Sequence, residues 1–289
     1  MPSPADQTII IRDIRGAAEM RAVEELQKEV WECSDRDVVP LLTLIPAVEV
    51  GGILVGAFAG DVMIGFAFGF LGQERGRIII HSDMLAVKPA FRSAGLGYKL
   101  KLAQRERALA RGISLMTWTF DPLRSRNAHL NFHKLGAVAD RYLVNYYGEE
   151  SSSALHQNIG TDRLWVHWPL ASERVARRLS GETSEGPPVE FDEARRLIKV
   201  NENNAPRLND ASDNWTQPYA VIEIPDDVGA IQHDAVMMVR WRDAMRAAFG
   251  GALAAGYLVE EFYRVAGGGI RRGAYLLRRG GRVDDFAGA

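Results

Sequence analysis

One arginine and two glycines are spaced so that they could hold a phosphate group: Arg92, Gly95 and Gly97. Glycines let the backbone approach an anion closely, and the unpaired amides that begin a following helix can donate to phosphate oxygens. The same spacing also occurs at strand-to-helix turns for structural reasons alone, so by itself it is a weak signal. A third glycine near Leu100, which a dinucleotide site needs, is missing, and the residues after Gly97 do not match a P-loop.

Two carboxylates and a histidine are candidates for moving protons or holding an amine. Asp121 follows a predicted strand at the edge where open α/β sheets gather ligands. Asp121-Pro122 is equally the pattern of a helix N-cap followed by a first helical proline, and both roles are compatible. His81 and Asp83 share one face of a strand under period-two alternation. They are either a water-mediated proton relay in a cleft or a buried hydrogen-bonded pair, and the sequence leaves both open.

These residues lie in a stretch that predicts alternating strands and helices. The predicted elements are a hairpin of Gly52–Ala59 and Val62–Leu71, a strand at Arg77–Val87, a helix at Gly95–Arg111, a strand at Ile113–Phe120 and a helix at Leu123–Leu135. A strand, a helix and a further strand imply a parallel crossover, whereas a hairpin implies antiparallel neighbours. The pattern therefore predicts an α/β (α+β) fold with a mixed sheet.

The flanking segments predict further elements on both sides. A strand at Thr8–Arg12 and a helix at Glu19–Trp31 come first, and the apolar stretch Val38–Leu71 predicts buried strands rather than a membrane span. A strand at Arg163–Leu170 follows the central stretch, and residues 181–218 form a polar excursion. The chain closes with a strand at Ala220–Ile224, a helix capped near Asp226-Asp227 that runs to Ala255, and strands near Tyr257–Val265 and Ala274–Arg278.

Two motifs in this order resemble the GNAT superfamily of acyltransferases over roughly Gly52–Leu170. Leu85-Ala86-Val87-Lys88-Pro89 followed by Arg92-Ser93-Ala94-Gly95-Leu96-Gly97 resembles the pyrophosphate-binding motif, and Asn127 through Ala137 resembles the second motif. Segments around His81-Ser82-Asp83-Met84 and Trp118–Leu123 are similar to a subgroup with some members linked to N-acylamino acid metabolism. That subgroup usually carries histidine at the position of Asp83.

The resemblance implies a GNAT-like acyl-CoA N-acyltransferase fold at residues 1–170, with an additional α/β region at 171–289. It implies direct attack of an amine on an acyl-CoA thioester, with pantetheine between two splayed strands and a backbone N–H stabilising the oxyanion. The implied cofactor-binding residues are Leu85, Ala86, Val87, Arg92, Ser93, Ala94, Gly95, Leu96, Gly97, Tyr98, Asn127 and Asn131.

The proton donor is the part of the motif that departs from the family. Many GNAT enzymes carry a tyrosine on the second-motif helix where this chain has Phe132. Tyr142, Tyr146 and Tyr147 follow and are either substitutes or packing residues with satisfied hydroxyls. The candidate catalytic residues are Asp121, Tyr147, Tyr142, Asp83 and His81.

Composition narrows the class of protein. A net charge of -2 argues against a whole-protein binder of nucleic acid or anionic membrane. Cys33 is the only cysteine, so no internal disulfide or cysteine-based metal cluster can form. His129 and His133 have helical spacing but lack a convincing third metal ligand. No metal is therefore predicted. The single cysteine fits a reducing cytoplasm, and Met1–Arg12 show no signal pattern, so the sequence predicts a cytoplasmic protein.

The function predicted from these features is transfer of an acetyl or other short acyl group from its CoA thioester to a small-molecule amine, possibly an amino acid. A non-catalytic acyl-CoA sensor and a protein-lysine acetyltransferase are the alternatives. Partners on nucleic acid or membranes are not expected, and a homodimer is left open.

Overall fold

The computed structural model describes residues 8–148, 160–182, 194–209, 215–267 and 270–286. These residues form two compact units that divide between Trp118 and Thr119, inside one strand. The first unit holds residues 8–118, and the second holds the described residues from Thr119 onward. The predicted end of the acyl-CoA-binding domain at residue 170 is a separate matter from this division, and it stays a prediction.

The first unit is built on a mixed set of strands. They are β1 (Ile9–Asp13), β2 (Ile53–Ala59), β3 (Val62–Glu74), β4 (Arg77–Val87) and β5 (Leu115–Phe120), whose last residues continue into the second unit. The strand order is β1-β2-β3-β4-β5, antiparallel from β1 to β4 and parallel between β4 and β5. The predicted hairpin, the third strand and the parallel crossover are confirmed.

Three helices belong to this unit: α1 (Gly16–Trp31), α2 (Leu41–Glu49) and α3 (Leu96–Ala110). Helix α1 buries Met20, Val23 and Leu26, which lie on its predicted apolar face. The prediction of strands throughout the apolar stretch is wrong at its beginning, where α2 forms instead. A continuous apolar run has no periodicity that separates a buried helix from a buried strand, so only packing decides.

The second unit is also mixed. Its strands are β6 (Val138–Leu143), β7 (Arg163–Pro169), β8 (Arg195–Val200), β9 (Pro206–Leu208), β10 (Tyr219–Pro225), β11 (Tyr257–Gly267) and β12 (Ile270–Arg279). Their order is β7-β6-β11-β12-β10-β8-β9, with β10 and β8 parallel. Its helices are α4 (Ser125–Ala128), a π-helical segment (His129–Lys134), α5 (Glu173–Leu179) and α6 (Ala235–Ala254).

Two predicted details of the second unit are wrong. The predicted helix Leu123–Leu135 is a short α-helix that continues as a π-helix. The two helix types differ in their hydrogen bonding, which the residue types do not predict. Helix α6 begins after Asp234, whose carboxylate accepts from the Met237 amide at 2.9 Å. Asp227 caps only a short turn, through the amide of Gly229.

The polar excursion at 181–218 contains strands β8 and β9 rather than loop alone. Strand β8 buries Leu197, Ile198 and Val200. These short apolar segments are outnumbered by polar neighbours, so a composition average over the whole stretch conceals them. Residues 183–193 and 210–214 of the excursion lie outside the described residues.

Candidate functional site

The predicted phosphate turn joins β4 to α3. Pro89–Ala94 form a 3-10 helix, Gly95 adopts a left-handed φ of 67°, and α3 then starts at Leu96 without a side-chain cap. The amide of Lys99 is the first in α3 to bond back, to the Gly95 carbonyl. The amides before it are the unpaired donors that begin any α-helix, so they can face an anion.

Arg92 adds a positive charge to this turn. Its Nε donates to the Val87 carbonyl oxygen at 3.2 Å, which ties the 3-10 helix to the end of β4. Its guanidinium forms no ion pair with any residue that the structure describes. The charge is therefore not neutralised by a described carboxylate and can attract a phosphate.

The end of β4 presents backbone groups on the side that faces away from β3. The Lys88 amide donates to the Ile64 carbonyl of β3. Because hydrogen-bonding direction alternates along an antiparallel strand, Ala86 also faces β3, whereas Leu85 and Val87 turn their amides and carbonyls away from it. The Val87 carbonyl already accepts from Arg92, so the groups that could pair with pantetheine amides, as the resemblance implies, are those of Leu85 and the Val87 amide.

Strands β4 and β5 separate along their length. Among the described residues they pair only at Ile80 with Met116 and at His81 with Thr117. The gap after these pairs adjoins Leu85, whose backbone groups face away from β3. This is the geometry that the resemblance implies for a strand splay.

A β-bulge interrupts β4 beside that gap. Phe68 of β3 faces Met84 and Phe70 faces His81, so Ser82 and Asp83 together face Gly69. A Cβ on Gly69 would lie 2.9 Å from the His81 carbonyl oxygen, so only glycine fits there. The assumption that strict alternation puts His81 and Asp83 on one face is wrong, because the bulge breaks the alternation between them.

His81 and Asp83 have different surroundings. His81 is buried, and its Nδ1 lies 2.9 Å from the Thr117 hydroxyl. Asp83 keeps an exposed side chain, yet the protein around it raises the pKa of its carboxyl group through desolvation. Asp83 is the better candidate for a base, since solvent reaches it and its ionised form is disfavoured.

Asp121 is held in a buried ion pair. Its two carboxylate oxygens accept from Arg242 of α6 at 2.8 and 2.9 Å, and Oδ1 also accepts from the Leu123 amide. Burial opposes ionisation of Asp121, but the attraction of Arg242 outweighs it and lowers the pKa of the carboxyl group. The predicted N-cap role of Asp121 is wrong, because α4 begins at Ser125 with Arg124 as its N-cap residue, and the bond to the Leu123 amide closes a turn before the helix. The carboxylate is a weak base.

Removing the charge of Asp121 should therefore destabilise the protein. We expect Asp121→Asn to lower the free energy of unfolding by about 3–5 kcal/mol, because Arg242 would stay buried without its counter-ion. Urea denaturation followed by tryptophan fluorescence measures this. The pair contributes stability above the ordinary carboxyl pKa of 3.8, and that contribution is lost as pH falls through the lowered folded-state pKa.

The double variant Asp121→Asn/Arg242→Met is the control for this prediction. It removes both charges, so we expect it to recover part of the lost stability. A single Asp121→Asn variant as stable as the wild type would contradict the buried ion pair.

Tyr142 is bound to a second carboxylate. Its hydroxyl donates to Asp162 at 2.9 Å, and Asp162 also accepts from Arg246 of α6 at 2.8 and 2.9 Å. Burial, followed by the Asp162 charge, raises the pKa of Tyr142 well above its usual range. A phenol held in this way is a poor proton donor to a ligand.

Tyr147 has a more exposed side chain than Tyr142. Its side chain is 48% exposed, and its hydroxyl lies 3.2 Å from the Thr119 hydroxyl at the end of β5. The Arg163 guanidinium lies 5.1 Å from the ring centroid. Thr161 bonds the backbone of the turn on both sides, accepting from the Tyr147 amide and donating to the Gly148 carbonyl.

The second motif mostly contributes to the interior of the second unit. Asn127 is exposed, whereas Asn131 is buried. Phe132 is fully buried, with its ring 6.0 Å from Phe120 and 5.7 Å from Tyr275. Phe132 is therefore a core residue.

Sequence reasoning missed Arg242 and Arg246. They lie one helical turn apart on α6 and bind Asp121 and Asp162 respectively. Their spacing on a long helix was the available signal, but it does not reveal which carboxylates a distant helix meets.

A shallow depression of about 580 Å³ lies elsewhere in the first unit, and Arg77, Ile78, Ile113 and Ser114 are among its lining residues. These residues are at the beginnings of β4 and β5. Ligands in such sheets gather at the carboxyl ends of parallel strands, so this depression is not the cofactor site.

Within the described part of the chain, no helix combines the length and apolarity that a bilayer span requires. The same residues contain no cluster of three or more metal-binding side chains.

Comparison with known proteins agrees with the motifs. The sequence model described as the acetyltransferase (GNAT) family matches residues 20–137. No match is found among curated proteins.

Solved structures were compared as well. The protein yncA from Salmonella typhimurium, solved with its cofactor acetyl-CoA, is 19% identical with a TM-score of 0.44, covering 57% of this chain and 96% of its own. The ribosomal-protein-S18-alanine N-acetyltransferase from Escherichia coli is 14% identical with a TM-score of 0.44, covering 64% and 100%. TM-scores this low add no argument to the family match.

Proposed function

We propose that the chain carries an acyltransferase domain of the GNAT superfamily, whose family model matches residues 20–137, and that it moves an acetyl or other short acyl group from coenzyme A to the amine of a small molecule. The observation that carries the proposal is the uncapped start of α3 behind Gly95, with Arg92 beside it. A pyrophosphate would accept from the α3 amides, and the helix dipole would add to the attraction.

Pantetheine would pair with the backbone of Leu85 and Val87, and the thioester would lie beside the gap between β4 and β5. The amine attacks the thioester carbonyl carbon, an oxyanion forms, and the carbon–sulfur bond then breaks. A backbone N–H on the free side of β4 would stabilise the oxyanion. Asp83, in the same unit, would take the proton that the amine loses.

The leaving thiolate gains from a proton donor, and we assign that role to Tyr147. Its hydroxyl is exposed, whereas the hydroxyl of Tyr142 is committed to Asp162. Asp121 is committed to Arg242, so we assign it to positioning rather than to proton transfer.

An amino acid is one candidate acceptor, as the resemblance to the subgroup implies. The homodimer and the cytoplasmic location stay predictions.

The test is calorimetric titration with CoA, acetyl-CoA and succinyl-CoA, followed by thiol release from the preferred thioester over a panel of amines and amino acids. Micromolar binding with thiol release supports the proposal. Binding without release from any amine favours the sensor alternative, and no binding by folded protein removes the acyltransferase proposal.

A further inference from the structure

A lysine lies buried in the first unit beneath the gap between β4 and β5. Lys101 of α3 is 5% exposed. Among the described residues it has no carboxylate within ion-pairing distance, and desolvation is the cause that lowers the pKa of its amine to about 7. A lysine in this situation is disfavoured for stability, because its ammonium loses water without gaining a counter-ion.

Its amine connects the two strands that separate. Lys101 Nζ donates to the Ser82 hydroxyl of β4 at 2.7 Å, and it lies 3.8 Å from the Trp118 ring centroid of β5. The Ser82 hydroxyl donates in turn to Gln104 Oε1 at 2.8 Å. The Lys101 side chain therefore contacts both strands, and the Ser82 hydroxyl is held between Lys101 and Gln104 of α3.

These contacts lie at the point where β4 and β5 stop pairing, which we call the fork. The paired part of β4 and β5 ends at His81 and Thr117, and the next residue on each strand is the one that Lys101 contacts. Ser82 also begins the bulge that faces Gly69. The amine thus lies where the strands stop pairing, at Ser82, which is three residues before Leu85.

We propose that Lys101 is a positioning residue that sets the separation of β4 and β5 at the fork, through Ser82 and Trp118, and so places the Leu85 backbone against the thioester. The inference rests on the proposed acyl-transfer function for its catalytic consequence. Its structural content, the dependence of the β4 backbone on Lys101, can be measured without any reaction.

The test is Lys101→Met, which keeps the length of the side chain and removes the amine. Methionine avoids the desolvation of the ammonium, so Tm should stay equal or rise. The β4 backbone should be less well positioned, so kcat should fall about 10- to 100-fold, the effect of displacing a reacting group by about an ångström. Binding of CoA through the phosphate turn should persist, and amide hydrogen exchange over residues 82–87 should become faster.

A double-mutant cycle tests the route through the serine. Ser82→Ala should lower kcat in the same direction, and adding it to Lys101→Met should lower kcat little further, because both remove one contact. Additive effects would overturn the route through Ser82.

The remaining outcomes separate this inference from the proposed function. A lower Tm that accounts for the lost activity, or unchanged kcat and unchanged exchange over residues 82–87, would overturn the positioning role. If the wild-type protein transfers no acyl group to any amine, the proposed function fails. The exchange of residues 82–87 in Lys101→Met then still decides whether Lys101 orders β4.

Discussion

Replacement of Gly95 by aspartate is expected to weaken binding of CoA and acetyl-CoA by at least about 100-fold. Gly95 has a φ of 67°, where side chains other than glycine are strained, and it directly precedes the α3 amides. The new carboxylate would repel the pyrophosphate, and loss of two charge-assisted hydrogen bonds costs about 3 kcal/mol, or about 100-fold in affinity. Calorimetric titration measures the change.

Gly112→Asp is the matched control. Gly112 resembles Gly95 in two ways: its φ is 73°, and a Cβ added there would have no atom within 4 Å. Unlike Gly95, it follows the C-terminal end of α3. Both variants carry the same charge and a similar backbone strain, so they should lose similar stability. Only Gly95→Asp should lose binding. Equal loss of binding in both variants would mean that the loss comes from reduced stability. Unchanged binding in Gly95→Asp would rule out this turn as the phosphate site.

Tyr147→Phe is expected to lower kcat by about 100-fold while leaving the Kd for acetyl-CoA unchanged. A positioned general acid contributes typically about 100- to 10,000-fold, and the phenol of Tyr147 has an exposed hydroxyl beside Thr119. Steady-state kinetics with the preferred amine, together with titration of the thioester, separates the chemical step from binding.

Tyr146→Phe provides the comparison for this variant. Tyr146 is 43% exposed, and its ring centroid lies 4.8 Å from that of Tyr147, so the two substitutions delete the same atom in neighbouring places. The Tyr146 variant should keep most of its activity. Similar losses in both variants, or no loss in Tyr147→Phe, would mean that the thiolate leaves without a proton from Tyr147.

Local patterns were enough to predict much of the first unit. The hairpin of β2 and β3, the strand β4, and the glycine-led helix α3 are encoded by apolar runs, turn residues and glycines close together in sequence. The glycine turn before α3 was predictable for the same reason, since all of its parts lie between Val87 and Gly97, and its binding of phosphate stays a prediction. Helix α2 was not predictable, because a continuous apolar run is compatible with a buried helix and with a buried strand.

Contacts between distant segments could not be read in that way. The sequence predicts Asp121 as a helix N-cap or a base. Only the packing of α6 shows that its carboxylate is bound to Arg242. Tyr142 and Tyr147 are equivalent as residue types, and they differ because the hydroxyl of Tyr142 donates to Asp162 whereas that of Tyr147 lies beside the Thr119 hydroxyl.

What the sequence determined by itself is the mixed α/β fold, the resemblance to a family and the position of the glycine turn before α3, because these depend on residue types at short spacings. The tertiary structure alone decided the ionisation and the partners of the candidate catalytic groups. It also decided the bulge at Ser82 and the burial of Lys101. The physical reason is that desolvation and ion pairing depend on which surfaces meet in three dimensions, and residues far apart in the chain supply those surfaces.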